Sequence, residues 1–276
     1  MVEKQLFNKG EIEIMRNEFF NKKKVIGMVH LLPMPSNASY RGDNEEIEKA
    51  ALTDAKTLLD CGVDAIMLEN FSDWPQYSTE IPLESYSLML AIATKIKAMC
   101  KDTPFGVNIE MNCWKQEWLM AYAVGADFTR IEAFVDNRAG SFGMIEACST
   151  QMMDIMKQFP SKTMLFTDVH TAETYGFPNV PINELAQNAI GHESSAIIVT
   201  ENDDSKKITC DDVRSMRETI GDFPIIVGAG VKTNNVIDYF EAGADAVIVG
   251  RGFKTGDAVD ATKVNEFMKV VREKYN

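Results

Sequence analysis

Residues 223–252 contain the feature that most restricts the fold of this chain, which is a pair of strand-length apolar runs that each end in glycines. The runs are Ile225–Val227 and Ala246–Val249, and both are continuous and rich in β-branched residues. Parallel strands have this composition when helices cover both faces of their sheet. Between the runs, residues 233–242 have helical length, and Thr233 or Asn234 is the predicted N-cap. The stretch therefore predicts a strand, a helix and a second strand, with a glycine-rich loop after each strand.

The same alternation of strand-like and helical segments runs through the rest of the chain. Strands are predicted at residues 25–32, 65–70, 105–110, 128–132, 163–170, 196–200, 225–228 and 246–250. Helices are predicted after them at residues 45–60, 84–99, 115–124, 144–158, 182–190, 210–220, 233–242 and 260–274. A glycine followed by alanine or valine and then aspartate recurs at three helix-to-strand junctions, at Gly62, Gly125 and Gly243. This recurrence is the turn chemistry of a repeated unit.

Strands that alternate with helices, without a polar linker between them, predict an α/β protein that folds as a single (β/α)8 TIM barrel with a short N-terminal helical extension. The extension is expected at residues 1–22 and the barrel at residues 23–276. The alternative is a doubly wound open sheet, and the strand number and even spacing favour the closed barrel. An amphipathic helix at residues 4–20, broken at Gly10, is expected to lie against the barrel bottom or a neighbouring subunit.

The acidic composition limits the partners of the chain. A formal net charge of −13 argues against nucleic acid, because binding to a phosphate backbone requires a basic surface. The five cysteines are scattered singly and signal neither a disulfide framework nor a zinc site, which indicates a reducing compartment. No apolar run is long enough for membrane insertion, and the polar, acidic N-terminus is unlike a signal peptide. We therefore expect a cytoplasmic protein, and the sequence leaves open whether it is a homo-oligomer.

Glycines after the last two predicted strands indicate an anion-binding site. They are Gly228 and Gly230 after the seventh strand and Gly250 and Gly252 after the eighth. In TIM barrels these loops commonly hold a phosphate, because glycines let backbone N–H groups approach an anion closely. Glycines also occur wherever a chain turns tightly, so a purely conformational role is the alternative. The partner that the pattern predicts is a small phosphorylated substrate.

Polar residues stand at the ends of most predicted strands, where TIM barrels have their active sites. Side chains alternate along a strand, so three same-face pairs are expected to converge on one pocket: Asn108 with Glu110, Arg130 with Glu132, and Asp168 with His170. The predicted catalytic residues are Glu69, Asp73, Asn108, Arg130, Glu132, Asp168 and His170, and further ligand contacts are predicted at His30, Asn70 and Thr200. A structural polar core is the alternative for the cluster, and a core histidine is the alternative for His30.

The same cluster raises the question of a metal ion. Glu69, Asp168 and His170 could bind a divalent cation, because carboxylate and imidazole ligands suit Mg²⁺ or Zn²⁺. The sequence contains no compact metal-binding motif. No cofactor and no metal are therefore predicted, and a divalent cation is the alternative.

An ordered set of short motifs resembles the BtpA/SgcQ family of TIM-barrel proteins. The motifs are His30-Leu-Leu-Pro-Met-Pro, Glu69-Asn-Phe-Ser-Asp73-Trp-Pro75, Gly106-Val-Asn108, Ala123-Val-Gly-Ala-Asp-Phe-Thr-Arg130, Asp168-Val-His170 and Val227-Gly-Ala-Gly230-Val. The match runs in order from about Val25 to the C-terminus. The resemblance implies a single barrel. It also implies that Glu69, Asn70, Asp73, Asn108, Arg130, Asp168 and His170 stand at the positions that the family keeps at its strand ends.

The sequence departs from the family pattern at three strand ends. Thr200-Glu-Asn-Asp-Asp-Ser replaces the glycine-rich segment after the sixth strand, and Thr171-Ala172 stands where Lys-His often follows the histidine of the fifth. Asn112-Cys113 replaces Asn-Asp after the third strand. These changes remove groups that would bind phosphate or transfer protons. The resemblance therefore leaves open whether this chain has an altered substrate or no catalytic activity.

Two functions are compatible with these observations. The resemblance implies either an enzyme of sugar or nucleoside metabolism or a biogenesis factor for membrane complexes, after a role in photosystem I accumulation. As an enzyme, the chain would act on a sugar phosphate or nucleotide-derived phosphate as a lyase, an isomerase or a glycosidic-bond-cleaving enzyme. Asp168 or Glu69 would be the general base, His170 the acid, and Arg130 would stabilise negative charge. As an assembly factor, the barrel would be a non-catalytic scaffold.

Overall fold

The structure, a computed structural model, describes residues 9–172, 174–176, 180–201 and 207–275. Within these ranges eight parallel strands form a closed barrel in which neighbours in sequence are neighbours in space. The strands are β1 (Lys24–His30), β2 (Ala65–Glu69), β3 (Phe105–Asn108), β4 (Phe128–Ile131), β5 (Met164–Val169), β6 (Ala196–Val199), β7 (Ile225–Val227) and β8 (Ala246–Val249). The helices described are α1 (Lys9–Phe19), α2 (Asn44–Asp60), α3 (Leu83–Cys100), α4 (Trp114–Val124), α5 (Ser149–Gln158), α6 (Ile182–Gly191), α7 (Cys210–Ile220), α8 (Val236–Ala242) and α9 (Ala261–Tyr275). α1 precedes the barrel, and each later helix follows one strand.

The closed barrel confirms the predicted fold class and excludes the doubly wound open sheet, since β8 pairs in parallel with β1. Two local predictions are wrong. Residues 144–148 are not helical, because a tight turn between Gly140 and Gly143 folds this stretch into a hairpin. Gly10 lies inside α1 rather than breaking it, since one glycine costs a helix only about 1 kcal/mol. Residues 4–8 of the predicted first helix lie outside the described residues.

Alternation along the strands separates two apolar layers. Outward-facing residues such as Val107 and Ile131 pack against the helices, as the pattern predicts. The inner layer contains Phe128 and Phe166, whose rings stack with their centroids 4.9 Å apart. Gly106 lies beside them, and a β-carbon there would come within 2.1 Å of Cε2 of Phe128. The barrel interior is therefore a packed core rather than a channel.

Helix α1 packs against the amino-terminal end of the barrel. Phe19 is 6% exposed, and its ring centroid lies 5.8 Å from those of both Phe128 and Phe166. Phe20 adds a second contact to Phe166 at 5.7 Å. Of the two predicted positions for this helix, the structure has it at the barrel bottom.

A small antiparallel sheet stands at the opposite end, beside the barrel mouth. Its three strands, Arg138–Gly140, Gly143–Ile145 and Tyr175–Gly176, belong to the loops after β4 and β5. Arg138 is buried within this sheet, pairs with Asp136 at 2.6 Å and donates a hydrogen bond to the hydroxyl of Thr174. The two loops are therefore fixed to each other above the β4–β5 side of the mouth.

All five cysteines are free thiols. Among the helices of the described ranges, none combines the length and the apolar character that a membrane span requires.

Candidate active site at the barrel mouth

A cavity of about 450 Å³ lies at the carboxyl-terminal ends of the strands. Small-molecule sites usually have volumes of roughly 300–1,000 Å³. The predicted site residues that line it are His30, Glu69, Arg130, Glu132, Thr200, Gly228, Gly230, Gly250 and Gly252. Its acidic residues follow β2, β3 and β4, whereas its glycine loops follow β7 and β8 on the other side of the barrel. The cavity therefore has two chemically different walls, which we call the acidic wall and the glycine wall.

Arg130 is the centre of a buried ion network on the acidic wall. Its Nε and Nη2 donate to Oδ1 and Oδ2 of Asp168 at 2.9 and 2.8 Å. Its Nη1 donates to Oε1 of Glu69 at 3.2 Å, and Oε2 of Glu69 lies 3.2 Å from Nε2 of His30. Bidentate pairing of this kind fixes both the position and the plane of the guanidinium. The network thus holds the carboxyl of Glu69 between a cation and an imidazole.

Burial and the charge of Arg130 shift the pKa values of Asp168 and Glu69 in opposite directions. Burial raises the pKa of Asp168, and the charge and hydrogen bonds of Arg130 offset only part of that increase. Burial also acts to raise the pKa of Glu69, but the hydrogen bond and charge of His30 and the charge of Arg130 outweigh it. The pKa of Glu69 therefore lies below its ordinary value. Glu69 is ionised at neutral pH, beside a permanently charged guanidinium.

Glu132 is the cavity carboxyl that titrates close to neutral pH. Its Oε1 accepts a hydrogen bond from Nδ2 of Asn108 at 2.7 Å, and its Oε2 accepts one from the N–H of Asn112 at 3.0 Å. Burial raises the pKa of Glu132 to about 8, against the opposing charge of Arg130. At neutral pH most of the carboxyl is protonated, yet it can lose its proton within reach of physiological pH. These are the properties of a general acid or base.

His30 connects the two walls. Its ring stacks on Phe71 with the centroids 4.4 Å apart and the planes 20° apart. The guanidinium of Arg251 lies 5.7 Å from the centroid of the same phenyl ring. A β-carbon at Gly250 would come within 2.6 Å of Cε1 of His30, so the imidazole can lie this close to the loop after β8 because residue 250 is a glycine.

The glycine wall offers backbone donors to a ligand. Among the described residues, the N–H groups of Gly230, Val231, Arg251 and Gly252 have no acceptor within the protein. Two other N–H groups of these loops are occupied, because Gly228 donates to the carbonyl of Val199 at 2.8 Å and Phe253 to that of Gly250 at 2.9 Å. Gly230 has a φ of 69°, a conformation that residues with a β-carbon rarely adopt. The exposed side chains of Lys232 and Arg251 add positive charge to this wall.

Five predicted site residues lie behind the cavity surface: Asn70, Asp73, Asn108, Asp168 and His170. Asp73 braces two loops, since its Oδ1 accepts the N–H of Met34 at 2.7 Å and its Oδ2 accepts Nδ2 of Asn70 at 3.2 Å. His170 has a φ of 55°, so the alternation that predicted a shared face with Asp168 ends with β5. Asn202, which belongs to the Thr200-Glu-Asn-Asp-Asp-Ser segment after the sixth strand, lies outside the described residues.

Several lining residues were not among the predicted site residues: Phe71, Gln76, Glu110, Lys232 and Arg251. A signal existed for the two cations, because Lys232 follows the first glycine pair and Arg251 stands between the glycines of the second. Glu110 had been placed on the pocket face through its pairing with Asn108. Phe71 and Gln76 belong to an irregular loop, where no periodicity indicates which side chains face a ligand.

The described part of the chain contains no group of three or more His, Cys, Asp or Glu side chains arranged to hold a metal ion. Two of the three residues considered as metal ligands, Glu69 and Asp168, are instead bound to Arg130. The divalent-cation alternative therefore has no support from these residues.

The closed barrel and the cavity at its mouth define a TIM-barrel protein with a ligand-sized site in the position usual for that fold. The chain belongs to the BtpA family, whose model matches residues 21–273. This match confirms the resemblance that the strand-end motifs indicated.

Relatives of the chain include archaeal and cyanobacterial proteins. An uncharacterized protein of Pyrococcus horikoshii is 30% identical over 260 residues, which cover 92% of this chain and 99% of that protein. The photosystem I biogenesis protein BtpA of Synechocystis is 25% identical over 262 residues, covering 92% of this chain and 90% of that protein.

A solved structure shares the fold at low sequence identity. It is (S)-3-O-geranylgeranylglyceryl phosphate synthase from Thermoplasma acidophilum in complex with its substrate sn-glycerol-1-phosphate. The TM-score is 0.59 with 14% identity, and the alignment covers 95% of this chain and 98% of that one. At this identity the likeness extends to the fold alone.

Proposed function

We propose that the chain is an enzyme that binds a small phosphorylated metabolite across the cavity and transfers a proton at the end opposite the phosphate. The observation that carries this proposal is the presence of both walls in one cavity of about 450 Å³. Unoccupied N–H groups with Lys232 and Arg251 suit a phosphate, and the facing carboxyl groups suit acid–base chemistry. The substrate class is a sugar phosphate or a nucleotide-derived phosphate. The reaction class is that of a lyase, an isomerase or a glycosidic-bond-cleaving enzyme.

The geometry supports a different set of proton-transfer residues from the one that the sequence pattern predicts. Asp168 and His170 lie behind the cavity surface, whereas Glu132, Glu69 and His30 line it. Glu132 is therefore the proton donor or acceptor, because it titrates near neutral pH and faces the ligand space. The pair of His30 and Glu69 supplies the second ionisable group.

Phosphate binding to the glycine wall is the first expected result. Inorganic phosphate should raise the melting temperature of the protein, since a ligand at about a hundred times its Kd adds roughly 2.7 kcal/mol of stability. Lys232→Ala should weaken phosphate binding about fivefold, the equivalent of about 1 kcal/mol for an exposed charge contact. Thermal-shift titration of both proteins measures this.

Lys269→Ala is the matched control, because Lys269 is 74% exposed on α9 and pairs with Glu273 of the same helix. It should leave the phosphate titration unchanged. Absence of any phosphate-dependent shift in the unaltered protein would contradict the proposed phosphate site.

Loss of turnover in Glu132→Gln is the second expected result. A panel of sugar phosphates and nucleotide-derived phosphates is screened for conversion, and the variant should lose at least about a hundredfold in kcat, the range of general acid–base catalysis. If Glu132 acts as an acid, kcat should fall as pH rises through about 8. Glu266→Gln, at an exposed position on α9, is the control. A fully active Glu132→Gln protein would eliminate the role assigned to this residue.

The alternative is a non-catalytic assembly factor, and the name of the Synechocystis relative is the observation that favours it. A non-catalytic scaffold does not require a ligand-sized cavity lined by a carboxyl group, such as that of Glu132, whose pKa lies near neutral pH. If the unaltered protein neither binds phosphate nor converts any member of the panel, the alternative becomes the better account.

A further inference from the structure

The strands β3 and β4 separate at their carboxyl ends, directly behind the acidic wall. Their ladder pairs Gly106 with Phe128 and Val107 with Thr129 and continues no further. Each strand stays paired with its other neighbour beyond this point, β3 with β2 up to Asn108 and β4 with β5 up to Ile131. The gap leaves the backbone groups of the next residues without their ladder partners, in a part of the protein closed to water.

Glu117 of α4, which is fully buried, fills this gap with its carboxyl group. Its Oε2 accepts the N–H of Ile109 at 2.8 Å, and its Oε1 accepts the N–H of Arg130 at 2.9 Å. Asn108 completes the replacement of the ladder, since its Nδ2 lies 3.1 Å from the carbonyl of Arg130, 3.2 Å from Oε2 of Glu117 and 2.7 Å from Oε1 of Glu132. One side-chain amide therefore links the buried carboxyl of Glu117 to the cavity carboxyl of Glu132.

The hydroxyl of Thr129 can accept a hydrogen bond from a proton carried by Glu117 when it donates its own hydrogen to a backbone carbonyl. This hydroxyl contacts both the carbonyl of Val107, at 3.1 Å, and Oε1 of Glu117. It has a single hydrogen, so it can donate to one of them. If it donates to the carbonyl, its contact with Glu117 requires a proton on the carboxyl. Among the described residues no cation lies within ion-pair distance of Glu117, and a buried carboxylate without a counter-charge is costly.

We propose that Glu117 is a positioning residue, held as a neutral carboxylic acid, that fixes the separated ends of β3 and β4 and, through Asn108, the carboxyl of Glu132. This inference rests on the proposed function, in which Glu132 transfers the proton. A neutral acid suits the position because it satisfies the orphaned N–H groups without adding a second buried charge next to Glu132. Burial and the charge of Glu132 raise the pKa of Glu117 and outweigh the hydrogen bonds from Thr129, Ile109 and Asn108, which act to lower it.

Charged groups from several elements face Glu132 and have to be considered in its titration. Arg130 lies in β4, Glu110 lies after β3, and Asp168 lies in the neighbouring β5. The thiols of Cys113 and Cys148 lie nearby, and burial raises the pKa of each well above its usual value, so both stay neutral in the relevant range. The experiment below establishes the protonation state of Glu117.

Infrared spectroscopy of protein labelled with ¹³C-glutamate tests the proposal. The carbonyl stretch of protonated glutamate should contain one component that disappears as pH rises through about 8, from Glu132, and one that persists above it, from Glu117. Glu132→Gln should remove the first component and Glu117→Gln the second. Because Gln is as neutral as a protonated Glu117, Glu117→Gln should not lower the titration midpoint of Glu132.

Glu117→Leu tests the positioning role, since leucine cannot accept the two N–H groups. Amide exchange at Ile109 and Arg130 should accelerate, and the midpoint of Glu132 should rise by about one pKa unit as its anion loses a fixed donor. A missing persistent component, or a lower Glu132 midpoint in Glu117→Gln, would show an ionised Glu117 and overturn the proposal. An unchanged midpoint and unchanged exchange in Glu117→Leu would also overturn it. Phosphate titration of the same samples tests the proposed function separately, since its failure leaves the infrared result intact.

Discussion

Replacing Arg130 by methionine should destabilise the protein by about 3–5 kcal/mol, the usual cost of removing one partner from a buried ion network. Methionine has a similar length but no charge, so Asp168 and Glu69 lose their shared cation while they stay buried. Urea denaturation measures the change. Arg214→Met is the matched control, because Arg214 is 56% exposed and pairs with Asp211 on the surface. The control should cost less than about 1 kcal/mol.

The effect of Arg130→Met should depend on pH in a defined direction. The positive charge of Arg130 acts to lower the pKa of both Asp168 and Glu69. Without it both folded-state pKa values rise, and that of Asp168, which already lies above its ordinary value, moves further above that of the unfolded chain, so the folded variant binds more protons than the unfolded chain between these two values. Its stability therefore falls as pH rises, and the deficit should be larger at neutral than at acidic pH. A loss of unfolding free energy that is equal at both pH values, or as small as that of Arg214→Met, would show that the ion network contributes little to stability.

The barrel was predictable because its signals are local. Each recurring junction glycine has a positive φ, at Gly62 (72°), Gly125 (66°) and Gly243 (119°). Each aspartate two residues later accepts an N–H near the start of the preceding strand: Asp64 from Val25, Asp127 from Phe105 and Asp245 from Ile225. The motif thus ends one helix and anchors the start of the strand before that helix. Local chemistry of this kind repeats with the fold, so a sequence reveals it.

Which polar side chains line the cavity, and which are buried behind it, was not predictable, because this depends on contacts between distant segments. Strand alternation places the side chains of Arg130 and Glu132 on the same face. Both residues stand at the end of β4 and line the cavity. It failed for His170, whose backbone has left the extended conformation. No pattern in the sequence indicated that Glu117, a polar residue in the first turn of a helix, is buried behind β3 and β4. Its position follows from where the ladder between those strands stops.

Truncating Phe19 to alanine should also cost about 3–5 kcal/mol, as for other buried phenylalanines. The ring closes the amino-terminal end of the barrel core, where it contacts the stacked rings of Phe128 and Phe166. Its removal leaves a void that these rings cannot fill, because they are held by their own strands. Ile14→Ala is the matched control in the same helix, since Ile14 is 59% exposed, and it should change stability by less than about 0.5 kcal/mol.

The position of Phe19 makes this variant a test of how the barrel separates stability from function. Phe19 lies at the opposite end of the barrel from the cavity, so the variant should unfold at lower urea concentration and still bind phosphate with unchanged affinity below its unfolding transition. Equal stability of Phe19→Ala and Ile14→Ala, together with rapid amide exchange along α1, would mean that the helix is not part of the cooperative core. If Phe19→Ala instead weakens phosphate binding in the folded protein, the barrel core transmits changes from its closed end to its mouth.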